Sequence, residues 1–287
     1  GEVMAISLTE HNLRANLRVV GASMRMRLIT ISRYRGQLVL DTFIPIAFAA
    51  MPILLGKANG GDQAAEIFKA NTGTANYIAF MLIGASVFSM VTNAFWHIAN
   101  WLRWEMQTGT LEALYMAPTD RVFVAGGTAL YSMARSIISS FSAYFIGSLV
   151  LGVNPLEGDL LLALVFLIVG LLPLYGITLL FGALVLKLKE AGSLINVMQW
   201  VVSFLMGIFY PVTIFPPLLR LIALLFPPTW MTNGVRSALL GVGFFFGEWY
   251  LDLAVLWAFL LVAPFVGYFV FHRVEKNIQR NEGVGQF

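Results

Sequence analysis

The chain has 287 residues, is 59% hydrophobic and 11% charged, carries a net charge of +3 and contains no cysteine; its mean hydropathy is +0.79. Soluble globular chains hold about a quarter charged residues, so this composition argues for an integral membrane protein. Without cysteine, disulfides and thiolate metal sites are excluded, and His11, His97 and His272 stand at no metal-ligand spacing from one another, so no metal site is expected.

Residues 5–35 read as one amphipathic helix. Leu13, Leu17, Val20, Met24, Leu28 and Ile31 recur at steps of three and four, with Arg14, Arg18 and Arg25 on a flanking face. A basic amphipathic helix ahead of a span is expected to lie in the membrane interface. The segment holds no apolar core followed by a small-residue cleavage site. The first long apolar run, from about Leu38, is therefore expected to stay in the protein.

Six apolar segments follow, at 38–56, 77–102, 122–152, 160–186, 194–214 and 249–271. About 20 apolar residues in a helix cross the hydrocarbon, and helices satisfy every backbone group inside lipid. Segment 103–121 is short and charged, between two such runs. Segment 215–248 is nearly as apolar as a span, but Pro216–Pro217 and Pro227–Pro228 interrupt it. Proline breaks a continuous helix, so two short re-entrant helices are expected there. The sequence predicts a single all-α membrane domain of six transmembrane helices.

The basic residues assign the sides. Thirteen fall on the side of the N-terminus, the 103–121 segment, the 187–189 loop and the tail. Four (Lys57, Lys69, Arg220 and Arg236) fall on the other side, and Arg135 lies within the third span. The excess of Lys and Arg marks the cytoplasmic face, so both termini and segment 103–121 are expected in the cytoplasm of a multi-pass plasma-membrane protein.

No GxxxxGK[ST] phosphate loop, GxSxG or HExxH occurs, so neither ATP hydrolysis nor hydrolytic chemistry is encoded. Polar stripes occur instead. Span two carries Ser86, Ser89, Asn93, His97 and Asn100; span five carries Asn196, Gln199, Ser203 and Tyr210, with Met206 and Gly207 in the gap; span three carries Thr128, Ser132, Arg135, Ser136 and Ser139. Polar groups in hydrocarbon turn toward protein or a wet path. Helix packing through small and hydroxyl residues is the first reading for span three. On spans two and five, the amides and His97 share a face with Phe88, Trp96, Trp200, Met206 and Tyr210. A substrate path is expected from Asn93, His97, Asn196, Gln199, Ser203, Met206 and Tyr210, suited to an amphipathic or lipid-like cargo. Arg135 reads as a structural or interfacial charge, with Asp41 near the inner end of span one as its candidate partner.

The stretch "RWEMQTGTLEALYMAPTDR" resembles the coupling-helix signature of ATP-binding cassette transporter permeases of the type-2 exporter class. Its counterparts here are Glu105, Gly109, Thr110, Leu111, Glu112, Pro118 and Arg121. "GIFYPVTIFP" from Gly207 and "PPTWMTNGVRSALLG" from Pro227 resemble the family's span-five exit and the segment after it. Gln107, Asp120 and Phe226 depart from the usual pattern. The resemblance implies two permease subunits, identical or different, and two separate ATPase subunits that bind ATP and Mg, with no cofactor on this chain. It implies that the 103–121 segment docks on an ATPase and that spans two and five line the path. The implied function is a permease, not itself an enzyme, that exports a hydrophobic or amphipathic drug or lipid-like compound from a prokaryotic cytoplasmic membrane. A polysaccharide or glycolipid exporter of the same fold is the alternative, with a channel or scaffold lacking an ATPase as the rival from another class. Membrane lipid is the surrounding partner, and no nucleic acid is expected.

Overall fold

The computed structural model describes residues 13–33, 35–60, 63–107, 121–188 and 191–281. Helices account for nearly all of them. They are α1 (Leu13–Arg33), α2 (Arg35–Gly60), α3 (Ala64–Thr72), α4 (Tyr77–Gln107), α5 (Arg121–Val150), α6 (Leu160–Leu188), α7 (Ala191–Leu205), α8 (Pro217–Leu224), α9 (Pro227–Leu240) and α10 (Trp249–Asn281). Five of them, α2, α4, α5, α6 and α10, contain apolar stretches long enough to cross a membrane. The chain is an all-α integral membrane protein.

α4 is the hub. Its apolar stretch is 72% buried, against 22% for that of α2 and 17% for that of α10. It packs on α2, α5, α6 and α9. Its 31 residues contain no proline and run about 46 Å at 1.5 Å per residue. Asn76 caps its start, its Oδ1 accepting from the Ala79 N–H at 3.1 Å. Asp159 does the same for α6 through the Leu162 N–H at 2.9 Å. The core around α4 includes Leu82, Ile83, Met90, Phe166, Leu171, Leu174 and Met231, all buried.

α10 lies at the periphery. Trp257, Leu261, Phe265 and Phe269, at steps of four, leave an apolar stripe exposed, as a lipid-facing helix requires. It is held against α6 where two glycines meet. A Cβ on Gly176 would collide with the backbone of Ala263 and Pro264, and one on Gly267 with the Gly176 carbonyl. Small residues of this kind let helix backbones approach in lipid.

Span five differs from the continuous 194–214 helix expected. α7 ends at Leu205, and Gly207 takes φ 63°, a left-handed value that favours glycine. Pro211 and the short 3-10 turn Val212–Ile214 follow. Fifteen helical residues reach only about 22 Å, so α7 is too short to cross alone and is not among the five helices long and apolar enough to do so. The expected pair of short helices stands as α8 and α9, each opening on proline at its first turn, where the missing N–H costs nothing. α3 was not foreseen. Its signals were available: good helix formers in "AAEIFKA" and Gly73 at φ 80°, whose N–H closes the helix on the Lys69 carbonyl.

Candidate functional site

Two ends of the bundle are distinct. One carries the connection from α4 to α5. Gly109, Thr110, Leu111, Glu112 and Pro118 of the coupling segment lie outside the described residues, as do the side chains of Glu105 and Arg121. The opposite end carries α3, α8, α9 and the start of α10.

Span three meets span one through charge. The Arg135 guanidinium donates to the Asp41 carboxylate. Ser139 Oγ donates to the Asp41 carbonyl at 2.7 Å. Both charged side chains are partly buried, at 22% and 13% exposure, so the pair sits where an unpaired charge would be costly. The remaining hydroxyls of the span-three stripe, Thr128, Ser132 and Ser136, are buried, as helix packing requires.

The expected path residues separate into two groups. Asn196 is exposed, and Gln199 and Ser203 are half-buried on α7. Beside them Val197, Trp200 and Phe204 are exposed, Trp200 by 72%. α7 has few neighbours within the chain, touching α4, α6 and α8. Its free face thus mixes an amide pair, a hydroxyl and large apolar groups. Ser203 Oγ is already satisfied by the Trp200 carbonyl at 2.8 Å. Met206, by contrast, is 1% exposed and belongs to the core; in this structure it packs behind the free face, one turn after the equally buried Val202, whose carbonyl accepts the Met206 N–H at 2.9 Å. Tyr210 is anchored, its hydroxyl donating to the Phe204 carbonyl at 2.9 Å. Its ring packs on Phe215 at 5.5 Å between centroids.

On α4, Asn93 and His97 are half-buried. Their level follows from geometry. Alternating connections make α4 and α7 antiparallel, and Gly84 touches the Ile208 carbonyl region. Asn93 lies nine residues, about 13 Å of helix, from Gly84 toward the other end of α4, and Gln199 lies on α7 ahead of the break that carries Ile208. Ser86 of the same stripe turns elsewhere: it is 2% exposed and lines a small cavity with Ser140, Phe141, Tyr144 and Val235. The span-two stripe is therefore divided between the interior and the surface.

The largest departure concerns Arg236, counted above among the charges on the side opposite the termini, in the segment of re-entrant helices. It lies on α9 and is 3% exposed. Its Nε donates to the Phe80 carbonyl at 3.2 Å and its Nη1 to the Gly207 carbonyl at 2.8 Å. Nη2 donates to the Ile208 carbonyl. The Phe80 ring lies beneath the guanidinium, 3.6 Å from centroid to Cζ, within cation–π range. Sequence reasoning placed it in a family-like segment but could not see the carbonyls it collects. Asp252 is a second buried charge that escaped notice. It is fully buried and accepts from the backbone N–H groups of Phe245 and Phe246 at 2.8 and 3.0 Å, fixing the loop ahead of α10.

The family model for the ABC-2 type transporter matches residues 19–240, from α1 to the end of α9. No curated protein matches the chain.

Proposed function

The chain belongs to the ABC-2 type transporter family, whose members are membrane components that work with ATPase partners, and we propose that it exports a hydrophobic or amphipathic compound, drug-like or lipid-like, by alternating access. The observation that carries the cargo class is the free face of α7. Asn196 and Gln199 offer amide donors and acceptors beside Val197, Trp200 and Phe204. An amphipathic molecule needs both kinds of contact, whereas a small ion needs neither the indole nor the phenyl ring. Asn93 on α4 and Gln199 on α7 are both half-buried on helices that touch, which supports a path walled by α4 on one side and α7 on the other.

In this reading two copies of the chain, or this chain and a similar one, enclose the path in the plasma membrane. Two ATPase subunits bind ATP and Mg and grip segment 103–121. The charge pattern supports termini in the cytoplasm. With Arg236 buried, the opposite side keeps three basic residues, Lys57, Lys69 and Arg220, all exposed, against thirteen on the cytoplasmic side. ATP-driven closure of the ATPases would move the ends of α4 and α5 together and rock the two halves of the path.

The test is ATP hydrolysis by the reconstituted complex across a panel of compounds. Stimulation by amphipathic or lipid-like members supports the reading. Stimulation confined to oligosaccharide-linked lipids moves the assignment to glycolipid export, and no stimulation by any compound removes the cargo class.

A further inference from the structure

Burying a guanidinium is costly unless its donors are satisfied, and Arg236 is satisfied in an unusual way. Among the described residues no carboxylate pairs with it. Its partners are backbone carbonyls from two other elements, Phe80 near the start of α4 and Gly207 with Ile208 in the break after α7. The carbonyls freed where a helix breaks carry partial negative charge and need donors. Arg236 supplies three N–H donors at once, through a planar fork that a lysine ammonium lacks.

The sequence makes room for this arrangement at one position. A Cβ on Gly84 would collide with both the Ile208 carbonyl and Arg236 Nη2. Gly84 lies one helical turn from Phe80 on the same face of α4. The contact is therefore built from both sides: α4 presents a carbonyl, a ring and a gap, and α9 fills the gap with a cation. A further bond ties α9 to the same break, Thr229 Oγ1 donating to the Leu205 carbonyl at 3.4 Å.

The other end of α4 gives the contact its meaning. α4 runs without proline from Tyr77 to Gln107, so Phe80 and Glu105 are ends of one rod about 37 Å apart. Glu105 opens the segment assigned above to ATPase contact. We propose that Arg236 is a positioning residue that clamps the external break in span five, with α9, to span two, so that displacement of the cytoplasmic end of α4 reaches the segment 207–216 on the opposite side. This inference rests on the exporter reading above. Without the clamp, the break at Gly207 would absorb the movement, since a glycine in left-handed geometry next to an irregular segment is where backbone bends most easily.

The chain has no cysteine, which gives a clean test. Ile214, exposed in the turn just after the break, is replaced by cysteine in the full complex with its ATPase subunits. Labelling by a membrane-impermeant maleimide is followed without nucleotide and after trapping with ATP and vanadate. The parent should label at different rates in the two states. In the Arg236→Gln background, ATP hydrolysis should persist while the nucleotide-dependent difference in labelling is lost. Arg236→Lys keeps the charge but gathers its donors on one nitrogen instead of spreading them over a planar fork, and should shrink the difference; it provides the measurement where Arg236→Gln does not assemble. A full labelling difference in either assembled variant overturns the inference while leaving the exporter reading intact. No difference in the parent, with ATP hydrolysed, removes the exporter reading itself. A purely structural arginine would lower yield or melting temperature without separating hydrolysis from movement at Ile214.

Discussion

Arg135 on span three reaches Asp41 on span one, and the two form a partly buried ion pair flanked by the bond from Ser139 Oγ to the Asp41 carbonyl. The pair joins the start of the first span to a helix that also packs on α1. Removing one partner leaves a charge in an environment that is neither dry nor open. Asp41→Asn and Arg135→Gln should each destabilise the protein by an amount between the roughly 0–1 kcal/mol of an exposed pair and the roughly 3–5 kcal/mol of a broken buried one. The double variant should be less destabilised than the sum of the two singles. Thermal melting in detergent measures all three; strict additivity would mean that the pair contributes no coupling energy.

Gln199 and Met206 differ in burial, and the difference gives two separate expectations for span five. Gln199 is half-buried on the free face, whereas Met206 is buried in the core. Gln199→Leu should change the relative transport rates of a set of amphipathic cargoes and leave the melting temperature nearly unmoved. Met206→Ala opens a cavity and should cost about 2–5 kcal/mol of stability. Transport assays in proteoliposomes, paired with melting curves, read both. Identical cargo ranking in Gln199→Leu and parent would assign Gln199 to helix packing.

What could be read from the sequence depended on the range of the interaction. Periodicity and composition are local, so they announced the long spans and the prolines that separate α8 from α9. The break at Gly207 was not read, because the apolar run continues through it and hydropathy does not register backbone angle. Arg236 shows the same limit from the other side. Its position in sequence suggests a charge at the outer surface, but its environment is set by carbonyls 28 to 156 residues away. The span-two stripe was visible, yet the inward turn of Ser86 follows from α5, α6 and α9 packing around it, which one helix cannot reveal. The Asp41–Arg135 pairing was within reach because both residues are rare charges in apolar runs, where pairing is the usual solution.

Coupling to the ATPase is expected to rest on charge in segment 103–121. A short helix docks in a groove by its apolar side while rim charges orient it. Glu105 and Glu112 are seven residues apart, and Gln107 carries no charge between them. Glu112→Ala should reduce cargo-stimulated ATP hydrolysis and transport while the complex still purifies intact. The combined Glu105→Ala and Glu112→Ala variant should abolish stimulation. Transport at the parental rate in the double variant would refute a coupling role for these carboxylates.

The Gly176–Gly267 contact is expected to hold α10 against the bundle. α10 buries little surface and is joined to the bundle chiefly along α6. Apolar burial cannot hold it there, because lipid solvates its exposed stripe as well as a neighbour would; close backbone packing has to supply the attraction. A methyl group at Gly267 would meet the Gly176 carbonyl, and α10 has to shift to admit it. Gly267→Ala should therefore cost about 1–3 kcal/mol, the usual range for overpacking, and Gly267→Leu considerably more. Gly21, whose Cβ would meet nothing within 4 Å, is the control: Gly21→Ala should not lower stability, since alanine is the better helix former. Proteolysis of the loop ahead of α10, around residues 243–248, measures detachment directly. Faster cleavage in Gly267→Leu with the remainder of the chain protected is the expected result, and unchanged cleavage would show that α10 is held by contacts other than this crossing.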